Sequence, residues 1–313
     1  TSGLVLGGGG ARAAYQAGVL RYLGEAFPDT PFPIVTASGT GAVNAAFLAG
    51  TDRSWRRATR GVVEVWADLH PERVYTPRSL WDLVSQLVQR APSPKQSLLD
   101  PSPLRALLEE RLSQKTDDTM GGIEQGLAGR WLEAVALTTT HYGSLSPVTW
   151  AQGRSLDDWT HARRTARTTS LTVDHVRAAM ALALLYPAVS IDGEWHGAGV
   201  GMLHPLAPAL RLGANRILAV STRSPAGDES SGEEAYPSPL RVASILSNTL
   251  LQDTLDADAA SMGRVDRLVR SLPPDERDGV EPAEVLVLHP SVNLTVLAES
   301  VGDESLYPIS CTV

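Results

Sequence analysis

Apolar positions along this chain fall in short runs that alternate with stretches of helical period, the pattern of strand–helix–strand units. Leu4-Val5-Leu6 reads as a strand that empties into four glycines, Gly7 to Gly10. Ala11 to Leu23 follows as a helix, with Ala14, Ala17, Val19, Leu20 and Leu23 on or near one face. Pro28, Pro31 and Pro33 punctuate the crossing to a second strand, Ile34-Val35-Thr36, and Ala42 to Ala49 makes a second helix. A helical crossover between strands implies parallel pairing, so the pattern predicts a doubly wound sheet.

Residues 51–130 differ, with several helices marked by Trp66, the Leu80/Trp81/Val84/Leu87/Val88 stripe and Leu104/Leu107/Leu108. Pro92-Ser93-Pro94 and Pro101-Ser102-Pro103 separate them, which predicts a helical cap inserted over the sheet. Such a stripe is more often ordinary core than lipid-facing surface. Strand character returns at Trp131 to Thr139, with a hairpin partner at Pro147 to Gln152, and Val173 to Leu185 reads as helix. Asp192-Gly193 between Val189-Ser190-Ile191 and Glu194-Trp195-His196 is a strong two-residue hairpin signal. Leu206 to Leu212 is a helix closed by Gly213, and Arg216 to Thr222 is a buried strand. The run from Pro225 to Pro237 reads as a loop, a long helix follows at about 239–272, and Glu284 to His289 is the last strand. The expectation is one α/β domain over 1–313: a doubly wound, mostly parallel sheet flanked by helices, with the cap at about 51–130 and a C-terminal helix and strand at about 239–290.

Composition narrows the function classes. The chain has 313 residues, 20% of them charged, and a formal net charge of −8. That is a folded globular composition, and its acidity argues against a nucleic-acid partner, which needs a basic face. Arg154, Arg163, Arg164 and Arg167 cluster locally and read as a solvated helix face. The lone Cys311 forms no intrachain disulfide, which fits a reducing compartment, and a cytoplasmic setting with peripheral membrane contact is the expectation. The seven histidines are scattered without zinc-ligand spacing, no run is long enough to span a bilayer, and neither metal nor cofactor is expected.

The chemistry-bearing segments are glycine-rich. Ile34 to Ala45 runs strand, tight turn, helix, the layout of a nucleophile elbow, G-x-S-x-G. Gly39 stands in the nucleophile's place, Ala37 replaces the first glycine, and Ser38, Thr40 and Gly41 are its neighbours. In Trp195-His196-Gly197-Ala198-Gly199, Ala198 stands where a D-G pair would supply a carboxylate base. Ser38 with His196 is the candidate displaced pair; Asp192, Glu194 and His204 are the other stray groups. Gly8-x-Gly10-x-x-Ala13 also fits a dinucleotide fingerprint, but the second strand ends in Thr36-Ala37-Ser38 without the acid that would hold a ribose.

Together these segments resemble the patatin-like phospholipase family, specifically its bacterial branch. The carriers are Gly7 to Arg12 with Ala14 to Leu20, Gly41 to Ala46, Leu171 to Val176, Tyr186 to Trp195, and Pro208 to Ala214. The resemblance implies an oxyanion hole at Gly8, Gly9, Gly10 and Arg12, where backbone N–H groups would meet a tetrahedral intermediate. It implies a Ser–Asp pair acting without histidine, and those two positions fall on Gly39 and Ala198. Two further departures are Ala13 after the arginine and Ala183 where a proline is expected. The implied function is a catalytically impaired member that keeps an acyl- or lipid-binding cleft or pairs with a protein, itself included. The alternative is an active lipid acyl hydrolase, a phospholipase or esterase, whose Ser–Asp pair is altered in this chain or replaced by displaced residues.

Overall fold

The structure is a computed structural model that describes residues 1–28, 32–50, 54–77, 97–112, 119–161, 164–183, 185–198, 204–225, 254–277, 280–294 and 297. Its strands are β1 (Ser2–Leu6), β2 (Ile34–Ser38), β3 (Thr76–Pro77), β4 (Leu99–Asp100), β5 (Ala134–His141), β6 (Ser146–Gly153), β7 (Trp159–His161), β8 (Arg164–Thr168), β9 (Val189–Ile191), β10 (Glu194–Ala198), β11 (Arg216–Val220) and β12 (Glu284–Leu288). Its helices are α1 (Ala13–Ala26), α2 (Gly41–Gly50), α3 (Trp55–Asp68), α4 (Pro71–Val74), α5 (Ser102–Leu112), α6 (Gly121–Ala128), α7 (Val173–Met180), α8 (Ala207–Arg211) and α9 (Thr254–Ser271).

The main sheet runs β12-β11-β1-β2-β5-β6-β8-β7, with β10 joined to β5 and β9 to β10. The five strands from β12 to β5 are parallel to one another, as crossover helices dictate. Beyond β5 the sheet turns mixed, because short turns join β5 to β6 and β9 to β10 as antiparallel hairpins. The chain leaves β1 toward β2 on one side and returns to β11 on the other. The switch point of this doubly wound sheet therefore lies between β1 and β11.

Alternating side chains feed two helical layers. Leu4, Leu6, Val35, Ala37, Leu218 and Val220 face the larger core, shared with α1, α2, α3, α5, α6 and α7. Val5, Ile34, Ile217 and Ala219 face the smaller one, under α8 and α9. A strand buried on both faces needs apolar residues at every position, which explains the unbroken runs. The helix α2 is buried from Gly41 to Ala49, consistent with its lack of a polar stripe. Within 51–130, the described helices contribute Val62, Val65, Leu104, Leu107, Leu108 and Ile123 to the larger core and form no core of their own. The Leu80 to Val88 stripe, Pro92-Ser93-Pro94, 226–237, the first part of the long helix, Gly199 and Cys311 lie outside the described residues.

Three local expectations change. The buried face of α1 is Ala13, Gln16, Ala17, Leu20 and Gly24, whereas Ala14 is exposed. The second reading to change is α7, which stops at Met180 instead of running to Leu185. Ala181 leaves helical geometry there, and its carbonyl accepts the Ala198 N–H at 2.8 Å. Arg164 and Arg167 sit on strand β8, not on a helix, since Thr-rich Arg164 to Thr168 pairs in parallel with β6.

Candidate functional site

Three chain segments meet at the carboxyl ends of β1, β2 and β11. The first is the glycine loop after β1, Gly7 to Gly10, which turns through a 3-10 helix (Gly10–Arg12) into α1. The second is the elbow, where β2 ends at Ser38, Gly39 has φ +55° and α2 starts at Gly41. Left-handed backbone costs a side chain roughly 1 kcal/mol or more, so glycine suits that turn. The third is the Ser221-Thr222 segment just past β11.

The loop lies directly on the elbow. A Cβ built on Gly39 would come within 2.7 Å of the Gly8 Cα, and one built on Gly8 within 3.3 Å of the Gly39 Cα. Two glycines are what let these backbones touch. Gly41 is equally constrained, because a Cβ there would strike the Leu6 and Gly7 carbonyls. Several of the loop's polar groups are hydrogen-bonded. The Gly9 N–H donates to Thr40 Oγ1 at 3.2 Å, and the Thr222 hydroxyl donates to the Gly8 carbonyl at 3.0 Å. Gln16 Nε2 donates to the Gly7 carbonyl at 2.9 Å and the Val220 carbonyl at 3.0 Å. Arg12 turns its Nε back onto the Gly9 carbonyl at 3.3 Å.

Beneath the loop a buried chain of amides holds α1 to α2 and α3. Asn44 donates to the Ala13 carbonyl and to Gln16 Oε1, both at 3.0 Å, and accepts from Trp66 Nε1 at 2.5 Å. Gln16 and Asn44 are fully buried, so each of these bonds offsets a desolvation cost of about 1–3 kcal/mol. Sequence reading passed over both. Their trace was polar residues at positions where the helical period calls for apolar ones.

The second half of the site is the end of β10. Ser38 of β2 is in register with Thr138 on β5, and the next β5 residue, Thr139, is in register with Ala198. Beyond Ser38 the elbow turns away and β10 takes over the same edge of β5, so Ser38 and Ala198 lie opposite successive β5 residues. Ala198 is buried in an apolar cluster with Leu99, Leu182 and Leu185, with Tyr186 packed against it. Burial raises the Tyr186 hydroxyl above its ordinary pKa, so it stays neutral. Next to this cluster, Pro101, Leu104, Met180, Ala181, Tyr186, Pro187 and Val189 line a shallow, mostly apolar depression together with Arg177.

The displaced Ser38–His196 pair does not form. His196 is fully buried on the same face of β10 as Ala198, and its Nδ1 meets Thr139 Oγ1 at 3.1 Å. Trp150 Nε1 donates to the same Thr139 oxygen at 2.9 Å, so one hydroxyl ties both rings to β5. The ring edges of His175 and His196 both pack on Trp150, with centroids 4.9 and 5.2 Å away. Burial depresses both imidazoles to a pKa of about 4; Asp192 and Asp174 oppose the shift at His175, and at His196 the neighbouring His141 deepens it while Glu194 opposes it. Among the described residues, Nε2 of neither ring has a hydrogen-bond partner. These are neutral packing histidines.

The remaining stray groups serve structure too. His204 Nδ1 pairs with Asp258 of α9 at 2.8 Å, and Asp258 also accepts the Leu206 N–H at 3.0 Å. Glu194 meets Arg167 at 2.8 Å, which holds its carboxyl below the usual range, and Asp192 occupies the hairpin turn with φ +52°. Among the described residues, no group of three His, Cys, Asp or Glu is placed to hold a metal ion, and no helix is long and apolar enough to cross a membrane.

A family model described as patatin-like phospholipase matches residues 4–210, which spans the glycine loop, the elbow and β10. The chain belongs to the patatin-like phospholipase family. Its mixed, mostly parallel sheet between helices is the patatin-like fold, a lipid acyl hydrolase fold. Among solved structures it is similar to VipD from Legionella pneumophila, at 12% identity and a TM-score of 0.40, over 99% of this chain and 64% of that one. The chain thus spans less than two thirds of that protein's length. No curated protein matches it.

Proposed function

We propose that this patatin-like protein does not turn over acyl esters and acts by binding the acyl part of a lipid. The observation that carries the reading is the contact between Gly39 and Gly8: a side chain at the nucleophile's position would begin 2.7 Å from backbone, inside contact distance. The loss is matched at position 198, where a methyl group packs among leucines in the place of a carboxylate. The two histidines nearest in sequence to Ala198 among the described residues are engaged elsewhere, His196 with Thr139 and His204 with Asp258. What favours an acyl ligand is the apolar depression beside Ala198, whose walls offer an alkyl chain more than they offer a polar headgroup.

The test is direct. Fluorophosphonate labelling and hydrolysis of p-nitrophenyl butyrate are both expected at background, while mass spectrometry of the purified protein finds bound fatty acid or phospholipid. Stoichiometric labelling with turnover would overturn the reading. A protein partner is the second role, favoured by Trp195 on β10 and Leu145 on the β5–β6 turn, exposed at 50% and 71%, with the Tyr142 N–H to Trp195 carbonyl bond joining the two segments. Light scattering of the unmodified chain against Trp195→Ser distinguishes a self-associating surface from a bare one.

A further inference from the structure

The Gly8 carbonyl and the Gly9 N–H belong to one peptide group, and each end of it is held by a threonine hydroxyl from a different side of the switch point. Thr40, just past the elbow, accepts from the N–H at 3.2 Å. Thr222, just past β11, donates to the carbonyl at 3.0 Å. Thr222 also fills the space over the next residue, since a Cβ on Gly9 would lie 2.8 Å from the Thr222 Cβ. A threonine can serve both ways because its oxygen accepts and its hydrogen donates. The peptide can neither rotate nor offer its N–H to a third group without breaking one of these bonds.

We propose that Thr40 and Thr222 form a latch on the Gly8–Gly9 peptide, with the Thr40 hydroxyl as the resident occupant of the position an acyl carbonyl or carboxylate oxygen would take. The proposal deepens the acyl-binding reading and rests on the glycine loop being its polar end. Three features agree with it. Gly39 lets the loop settle onto the elbow, so the latched form is close-packed. Gln16 pins the preceding Gly7 carbonyl, which leaves Gly8–Gly9 as the peptide that a threonine exchange would free. Arg12, which follows the loop, is drawn onto the Gly9 carbonyl as well. A ligand oxygen binds by displacing the Thr40 hydroxyl, so the net gain is the difference between two hydrogen bonds, smaller for a neutral oxygen than for a carboxylate. Affinity at this point is weak until the hydroxyl is moved.

The experiment uses the full chain, isotopically labelled, with sodium hexanoate as the probe and the Gly9 amide signal as the readout. Thr40→Val keeps the shape and removes the acceptor; Thr40→Ser keeps the acceptor. Hexanoate is expected to shift the Gly9 amide saturably in Thr40→Val, with an apparent affinity at least five-fold tighter than in the unmodified chain, and Thr40→Ser behaves as unmodified. Without ligand, Gly9 hydrogen exchange quickens about ten-fold in Thr40→Val and in Thr222→Val, and not in Thr40→Ser. Equal affinities in all forms, a Gly9 amide indifferent to hexanoate throughout, or exchange unchanged by either valine would each overturn the latch. Thr222→Val reads the same exchange if Thr40→Val fails to fold. Fluorophosphonate labelling of the unmodified chain bears on the non-hydrolytic reading and not on the latch, so the two fail separately.

Discussion

Gly39 and Ala198, the residues at the nucleophile and acid positions that the family resemblance implies, are held in place by opposite physical means. On the nucleophile side the geometry is kept by backbone: a left-handed residue at Gly39, a glycine loop laid upon it, and Thr40, Thr222 and Gln16 hydrogen-bonded to that loop. On the acid side the place is filled by side chains, with Ala198 among Leu99, Leu182 and Leu185, and His196 sealed against Trp150 and Thr139. Backbone hydrogen bonds hold a shape that a serine could still occupy if the loop moved. Apolar packing holds no shape that welcomes a carboxylate. The difference teaches that a loop which could lift closes over position 39, whereas side-chain packing that could not simply lift fills the space at position 198.

The largest effect that could break this contrast is titration of the two buried imidazoles. Their pKa values sit near 4 when folded against about 6.5 when unfolded, so between those values the unfolded chain binds more protons. Stability is therefore full above pH 6.5 and is lost as pH falls toward 4. From pH 7 to pH 5 the loss is about 2 kcal/mol for each ring and about 4 kcal/mol for both. Urea unfolding at the two pH values measures it, and His175→Gln with His196→Gln should flatten the difference. A profile that is already flat would mean these rings are not sealed from water.

Ala198→Asp comes next. A carboxylate among leucines lacks compensating donors, so the variant is expected to lose about 3 kcal/mol at pH 7.5. The loss shrinks at pH 5, because burial raises the carboxyl's pKa and the neutral form costs less. A stable Ala198→Asp at pH 7.5 would show that the acid side is merely shut, like its neighbour. Gly39→Ser is expected to cost about 2 kcal/mol, from the contact with Gly8 and a left-handed side chain together. The smallest change has the other sign and calibrates it. Gly18 lies on α1 with open space where its Cβ would go, so Gly18→Ala should stabilise by about 0.5–1 kcal/mol. If Gly39→Ser proves as mild as that, the loop lifts off freely and the latch is weak.

Much of the scaffold was legible because its signals are local. Leu4 to Leu6 before four glycines, the Asp192-Gly193 turn and Ile217 to Val220 each carry their structure within a few residues. Strands β7 and β8 escaped notice because Trp159 to Thr168 has neither an apolar run nor clean alternation; their pairing comes from β6. The α1 face was misplaced for a similar reason. Ala14 is as apolar as Ala13 or Ala17, and only the packing of Gln16 and Gly24 against other elements decides which side turns inward.

The chain by itself determined that no serine stands at 39 and no aspartate at 198, and that strand, glycine loop and helix succeed one another around both. Those are matters of residue type and short spacing, written in one dimension. Only the tertiary structure decided that Gly8 meets Gly39, that Thr40 and Thr222 grip one peptide, and that His196 turns to Thr139 instead of Ser38. Each of those contacts joins segments far apart along the chain. Their existence depends on strand order and register, which the energy of the whole packed sheet sets and no single segment encodes.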